Sequence, residues 1–305
     1  KEFILLKTAY TRFRGVPRPP IMSNTPAEIG KRAQLTVLKK TAPGFFLDSL
    51  GELGNILLPY NEVQGPCEVG ESVDVFIYCD SEDRPIATMK QPKAMPGEFA
   101  CLECISATSI GSFLDWGLVK DLFIPFREQN SRIDVGKSYV VYVYVDPQSD
   151  RIVASRRINR FLSKEEPDYT LNQQVDLMVY AKTDLGYKAI INGQHTGVLF
   201  ANEVFRKPAP GERLKGYIAK LRGDGKIDLT LHRPGQSTKE KIDDLEARIE
   251  EQLATRNGFW SLCDSSPAED IYQQLGVSKK AFKKATGALF KKRKITIAKD
   301  GIRSI

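Results

Sequence analysis

Four landmarks recur three times between residues 30 and 235, and they recur in register. Gly44-Phe45-Phe46-Leu47-Asp48, Gly111-Ser112-Phe113-Leu114-Asp115 and Gly186-Tyr187-Lys188-Ala189 each open a run. Leu58-Pro59-Tyr60-Asn61-Glu62, Ile124-Pro125-Phe126-Arg127-Glu128 and Leu199-Phe200-Ala201-Asn202-Glu203 follow, with 18, 17 and 17 residues from first glycine to glutamate. Gly70, Gly136 and Gly211 each stand 8 residues beyond the glutamate, and Arg84, Arg151 and Lys226 come 14, 15 and 15 residues later. Such a repeat constrains architecture before any local propensity is weighed, because every copy must be the same unit. Each copy covers about 65–75 residues, the size of one small domain rather than of a solenoid repeat.

Within each copy the chain reads as strands. Val73, Val75 and Ile77 alternate with Asp74, Phe76 and Tyr78, and Val141, Val143 and Val145 alternate with Tyr142 and Tyr144. Period-two runs of this composition are two-faced strands. Short strands with Gly, Pro and Asp turns and no long helix predict a small closed barrel, which removes exposed edges. The units fall at 30–92, 97–162 and 168–235, with linkers at Gln91–Pro96 and Lys164–Pro167.

From 237 to 305 the period becomes helical. Ser237…Glu240 reads as a capping box ahead of Ile242, Leu245, Ile249 and Leu253 on one face. Ser266-Pro267-Ala268-Glu269 starts a second helix, with Pro at its first position and Gly276 at its end. Ser278 caps a third, running to about Phe290. Ile295–Ala298, Lys299-Asp300-Gly301 and Ile302 predict a hairpin with Asp-Gly in its turn. This order is that of a winged helix. The fold class is therefore mainly β with a C-terminal α+β domain.

Charge is concentrated at the ends. The net charge is +7, yet residues 276–305 carry ten Lys/Arg and one acid, residues 1–21 five and one, and residues 22–275 sum to −6. Residues 1–25, with Arg12, Arg14 and Arg18, read as a basic arm, disordered or extraneous to a start at Met22. On the third helix, at about 100° per residue, Lys279, Lys280, Lys283, Lys284 and Lys291 share one arc, and Ala281, Phe282, Ala285, Ala288 and Leu289 hold the other. Lysines in a first helical turn oppose the macrodipole, which is expected where a phosphate is the missing partner. Lys292 and Arg293, with Lys294, extend the patch toward the wing.

The Gly-aromatic strand, the Leu-Pro/Phe…Glu corner, the Val-Gly-Glu strand and the Arg-Ile-x-x-Ser hairpin together resemble the S1 RNA-binding domain, an OB-fold. Three such units plus a winged helix resemble, over residues 26–305, the conserved virulence factor B family of bacterial RNA-binding regulators. The resemblance implies three tandem S1-like OB-fold barrels and a post-transcriptional influence on gene expression. Departures are visible. The usual His of the corner is Pro59, Pro125 and Phe200 here, and the acid before the basic hairpin residue is present as Asp80 and Asp146 but replaced by Leu221-Arg222 in the third unit.

OB-folds hold single strands by stacking bases on aromatics while cations track the backbone. The candidates are Phe46, Phe113 and Tyr187 on the early strand, Tyr60, Phe126 and Phe200 at the corner, and Arg84, Arg151 and Lys226 on the hairpin. Each aromatic has a second reading as barrel core, since a one-residue shift of register exchanges the faces. The expected partner is single-stranded RNA, with DNA, read by the winged helix of a transcriptional regulator, as the alternative. An accessory subunit of a nuclease or ribosome is a third reading.

No cofactor, metal or catalytic residue is expected. Cys101 and Cys104 lie three apart in a strand and so face opposite ways, with no second Cys/His pair to complete a zinc site. His195 and His232 lack a nucleophile nearby in sequence, Asp243-Asp244 read as helix surface, and no phosphate-binding loop is present. No apolar stretch approaches the ~20 residues of a membrane span. Five cysteines are too few for a disulfide scaffold, and the cytoplasm is the expected compartment.

Overall fold

The computed structural model describes residues 26–201, 204, 207–232, 235 and 238–305, the side chains of 238–241 excepted. The basic arm, Glu203 and the Ser237…Glu240 capping box lie outside the described residues. Two compact units divide the chain, one ending at Pro92 and including Val145–Ile152, the other holding Lys93–Tyr144 and Val153–Ile305.

The first barrel is built from β1 (Arg32–Lys40), β2 (Gly44–Asp48), β3 (Asn55–Pro59), β4 (Ser72–Cys79) and β5 (Pro85–Thr88). The second uses β6 (Phe99–Ala107), β7 (Gly111–Leu114), β8 (Leu122–Pro125), β9 (Ser138–Val145) and β10 (Ile152–Ser155). The third uses β11 (Gln174–Thr183), β12 (Gly186–Ile191), β13 (His195–Phe200), β14 (Arg213–Leu221) and β15 (Ile227–Thr230). Each closes with its strands in the order first, second, third, fifth, fourth. The third and fifth strands pair in parallel in all three.

The landmarks of the repeat have physical causes. A Cβ at Gly44, Gly111 or Gly186 would stand 2.2, 2.5 or 2.3 Å from the backbone oxygen of Leu58, Ile124 or Leu199, so only glycine lets the second strand approach the third. Gly70, Gly136 and Gly211 take left-handed φ values of 93°, 79° and 85°. Their N–H groups donate to Val37, Cys104 and Val179 at 2.8, 2.7 and 2.7 Å, where the first strand of each barrel is bulged. Glu62 and Glu128 are buried. Their carboxylates accept from Thr88 at 2.5 Å and from Ser155 at 2.6 Å, which ties the corner to the last strand.

Leu35, Val37, Leu47, Ile56, Leu58, Val75 and Ile77 fill the first barrel. The alternation of β4 is only half right as a reading of faces, because Phe76 and Tyr78 are buried as well and stack at 6.2 Å. Burial, then the charges of Glu62 and Asp80, push the Tyr78 hydroxyl far up. On β9 the expectation holds better: Val141 and Val143 go inside, and Tyr142 lies on Phe161 at 4.2 Å.

The C-terminal domain has α1 (Thr238–Thr255), β16 (Phe259–Trp260), α2 (Ala268–Leu275), α3 (Lys279–Lys291), β17 (Ile295–Ala298) and β18 (Gly301–Ser304), with sheet order β16-β18-β17. Leu245, Ile249 and Leu253 of α1 meet Phe282, Ala285 and Leu289 of α3 around Trp260. Ser278 caps α3 by accepting from the Ala281 N–H at 3.1 Å. Two local expectations shift by one residue. Pro267 precedes α2 instead of opening it. Gly301 starts β18, where a Cβ would stand 2.2 Å from the Trp260 oxygen, so close approach and not the turn requires it.

Candidate nucleic-acid interface

In the first barrel the bulge of β1 brings Lys39 beside β2. Its ammonium lies 5.0 Å from the ring centroid of Phe46, which is half-buried on the outward face. Tyr60, just past β3, is exposed, its hydroxyl donating to the Thr41 carbonyl at 2.7 Å and its ring edge-on to Phe45. A fixed exposed ring with a lysine 5.9 Å away (Lys40) is the arrangement that base stacking with backbone neutralisation needs.

The second barrel presents Phe113, half-buried and 5.2 Å from Phe123, and Phe126, which is exposed. Phe123 was not singled out from sequence. It pairs directly with Phe113 across β7 and β8, and its odd-even place beside buried Leu122 and Ile124 was the available signal.

The third barrel corrects one expectation. Tyr187 is buried in the barrel core, packed with Val179 and Leu199. It stands one residue after its glycine, in the slot of Phe45, and the outward slot of Phe46 and Phe113 falls to Lys188. Phe200 pairs with Gly186, as Pro59 pairs with Gly44, so it sits on the strand and not at the corner. It is half-buried beneath Arg222, whose guanidinium is 5.8 Å from the ring.

The hairpin cations are exposed, and each holds an acid. Arg84 binds Asp80 at 2.7 Å and Glu82 at 2.8 Å. Arg151 binds Asp83, and Lys226 binds Asp224 at 2.7 Å. Burial raises the Asp80 carboxyl, but hydrogen bonds from the Arg84 backbone and side chain outweigh it and hold the group below the ordinary carboxylate range.

On α3 the lysines divide. Lys279 donates to the Ser266 carbonyl at 2.8 Å, and Lys283 stands 3.9 Å from Asp264. Lys292 binds the buried Glu246 of α1 at 2.6 Å, and Lys294 binds Glu250 at 2.7 Å, so both brace the α3 end against α1. Lys280, Lys284 and Lys291 are exposed and make no ion pair among the described residues. Arg293 is exposed at a left-handed φ of 55° in the turn before β17.

Among the described residues no cluster of His, Cys, Asp or Glu could hold a metal ion. Cys101 and Cys104 diverge, the first toward the Pro210 carbonyl of the third barrel and the second toward Ser106. Among the described residues no helix is long and apolar enough to cross a membrane.

Residues 29–90 match the S1 domain, and residues 247–303 match the CvfB-like winged helix domain. The chain is 27% identical to the uncharacterized protein YitL of Bacillus subtilis, covering 87% of this chain and 90% of that one. It is 24% identical to conserved virulence factor B of Staphylococcus saprophyticus, covering 75% and 78%. A crystallised multidomain protein with nucleic acid binding domains from Streptococcus pneumoniae aligns over 91% of this chain and 98% of its own, at 22% identity and a TM-score of 0.41. With a match to the S1 domain in the first barrel, two further barrels of the same strand order and a match to the CvfB-like winged helix domain, the chain is similar in domain order to conserved virulence factor B.

Proposed function

We propose that this chain is a non-enzymatic, cytoplasmic RNA-binding protein that holds single strands on its barrels and on α3, and so regulates gene expression after transcription. One observation carries the reading: Lys280, Lys284 and Lys291 lie exposed on α3 with no carboxylate partner among the described residues, whereas the hairpin cations and Lys292 all have one. Unpaired cations on one helix are an electrostatic footprint for phosphate. The S1 match and the relatives named conserved virulence factor B support a nucleic-acid partner. The outward Phe46, Phe113 and Phe126 supply rings for sequence-tolerant stacking, which unpaired bases offer and duplex bases do not.

The winged helix favours a second reading, a regulator that binds duplex DNA. Against it, α3 carries lysines but no Asn, Gln or Arg, and the mixture of these with lysine is what a helix reading base edges in the major groove usually presents. Affinity for single-stranded RNA, single-stranded DNA and duplex DNA of matched sequence at one salt concentration separates the two. Tightest binding to single-stranded RNA is expected, and a preference for the duplex would overturn the proposal.

A further inference from the structure

The second and third barrels meet at a built joint. Phe99, Val140, Ile158, Leu162, Met178 and Ile190 form one buried cluster across it. Polar contacts lock the same joint: Arg213 donates to the Phe99 carbonyl at 3.3 Å, Ser163 to the Gln194 carbonyl at 2.7 Å, and Tyr180 to Asn159 at 3.2 Å. Beside it opens a cleft of about 600 Å³, lined by both barrels and by the chain that leaves β10. That volume lies within the roughly 300–1,000 Å³ usual for binding sites.

The lining holds Arg156, Arg157 and Arg160 and no aspartate or glutamate. Arg156 is half-buried, and its partners are all neutral. Its guanidinium covers the Tyr139 ring at 4.5 Å and donates to the Ser131 carbonyl and hydroxyl at 3.2 and 3.0 Å. Burial pulls its pKa down, as expected of a cation that has lost water and gained no anion. Arg157 is exposed and donates to the Arg127 carbonyl at 2.7 Å, again with no carboxylate among the described residues. Arg160 reaches the buried Glu128 at 3.2 Å. Arg156 and Arg157 differ in kind from Arg84 and Arg151, which are held by acids at the hairpins. A desolvated guanidinium with neutral neighbours is stabilised by an incoming anion, and its planar fork matches phosphate oxygens.

We propose that this cleft binds the phosphodiester backbone of a single-stranded nucleic acid passing from the second barrel to the third, with Arg156 and Arg157 contacting phosphate. The proposal rests on the single-strand reading above. Tyr139 and Ser131 are positioning residues that fix the Arg156 guanidinium. Because the joint is packed and hydrogen-bonded, the cleft is formed before the strand arrives, so little ordering cost opposes binding. A contact there couples two modules in series, which raises avidity without further affinity in either barrel.

The test measures binding of a labelled oligouridylate to the full chain across a salt series, for the wild type and for the Arg156→Gln/Arg157→Gln double variant. Loss of two phosphate contacts should weaken binding about tenfold or more and flatten the slope of log affinity against log salt by about 1.4. If the double variant fails to fold, Arg157→Gln alone, at an exposed position, should flatten it by about 0.7. An unchanged slope in a folded variant, beside a wild type that binds, overturns the cleft and leaves the single-strand reading intact. A wild type that does not bind the strand overturns both. Inorganic phosphate at matched ionic strength should not displace the strand. Displacement that needs Arg156 and Arg157 would assign the cleft to a small anion instead.

Discussion

The carboxylate of Glu62, buried at the corner after β3, accepts a 2.5 Å hydrogen bond from the hydroxyl of Thr88 at the end of β5. The second barrel repeats the relationship with Glu128 and Ser155, and a cation completes each pair, Lys90 in one and Arg160 in the other. The same hydroxyls accept the N–H two residues on, at 3.0 Å in both barrels, which turns the chain out of the last strand. A glutamate that looks in sequence like a surface acid is therefore the pin that fixes the corner, and with it Tyr60 and Phe126.

Removing the hydroxyl partner tests that role. Thr88→Val and Ser155→Ala each leave a buried carboxylate short of a charge-assisted hydrogen bond, a loss of about 1.5–3 kcal/mol. Urea titration should show a lower midpoint with an unchanged slope. A change within error would mean that water or the neighbouring cation replaces the hydroxyl.

Tyr187 and Phe46 should separate core from surface. Tyr187→Ala opens the third barrel and should cost about 3–5 kcal/mol of stability. Phe46→Ala, at a half-buried outward position, should cost far less stability but weaken binding of a single strand by about 1–3 kcal/mol. Equal losses of stability would place Phe46 in the core with Tyr187.

How much of this was legible follows from which forces act locally. The number of barrels and the place of their strands could be read because close approach at Gly44 and the left-handed turn at Gly70 admit almost only glycine, and the spacing of such glycines shows in sequence. The side-chain faces were less legible. Tyr187 goes inward because it stands one residue after Gly186, in the slot of the buried Phe45, and not two after its glycine as Phe46 and Phe113 do. Phe76 and Tyr78 are buried on what period two marks as the outer face. Arg156 was invisible as a site because its character comes from what it lacks, an acid within reach, and from a joint made by residues as far apart as Phe99 and Arg213. The lysines of α3 shared one arc in sequence, yet only the packing of α1 shows that Lys292 and Lys294 brace the domain while Lys280 and Lys284 do not.

Acid pH should act on the hairpin of the first barrel. The Asp80 carboxyl is held below its ordinary value of 3.8, so its bonds to Arg84 contribute stability above that value and lose it as pH falls through the lower folded value. Asp80→Asn should therefore lower the Tm at pH 7, and the gap to wild type should shrink below about pH 3.8. A gap that widens in acid would reverse the assignment.

The lysine face allows a crossed test. Lys280 and Lys284 are exposed on α3 and touch no acid among the described residues, so Lys280→Gln/Lys284→Gln should leave the Tm in place, glutamine being a good helix former. If both meet phosphates, affinity for a single strand falls and the salt slope flattens by about 1.4. Lys292→Gln should do the reverse. It strands the buried Glu246 without its 2.6 Å partner, which lowers the Tm, while the strand loses a cation already neutralised within the domain. The two variants remove charge from the same end of the molecule, so a response to net charge alone would move the slope in proportion to the lysines lost. Only a response to position gives one variant with altered binding and intact stability and the other with the opposite. If Lys292→Gln flattens the slope as much per lysine as the double variant does, the contact is diffuse and α3 is not the surface that grips the strand.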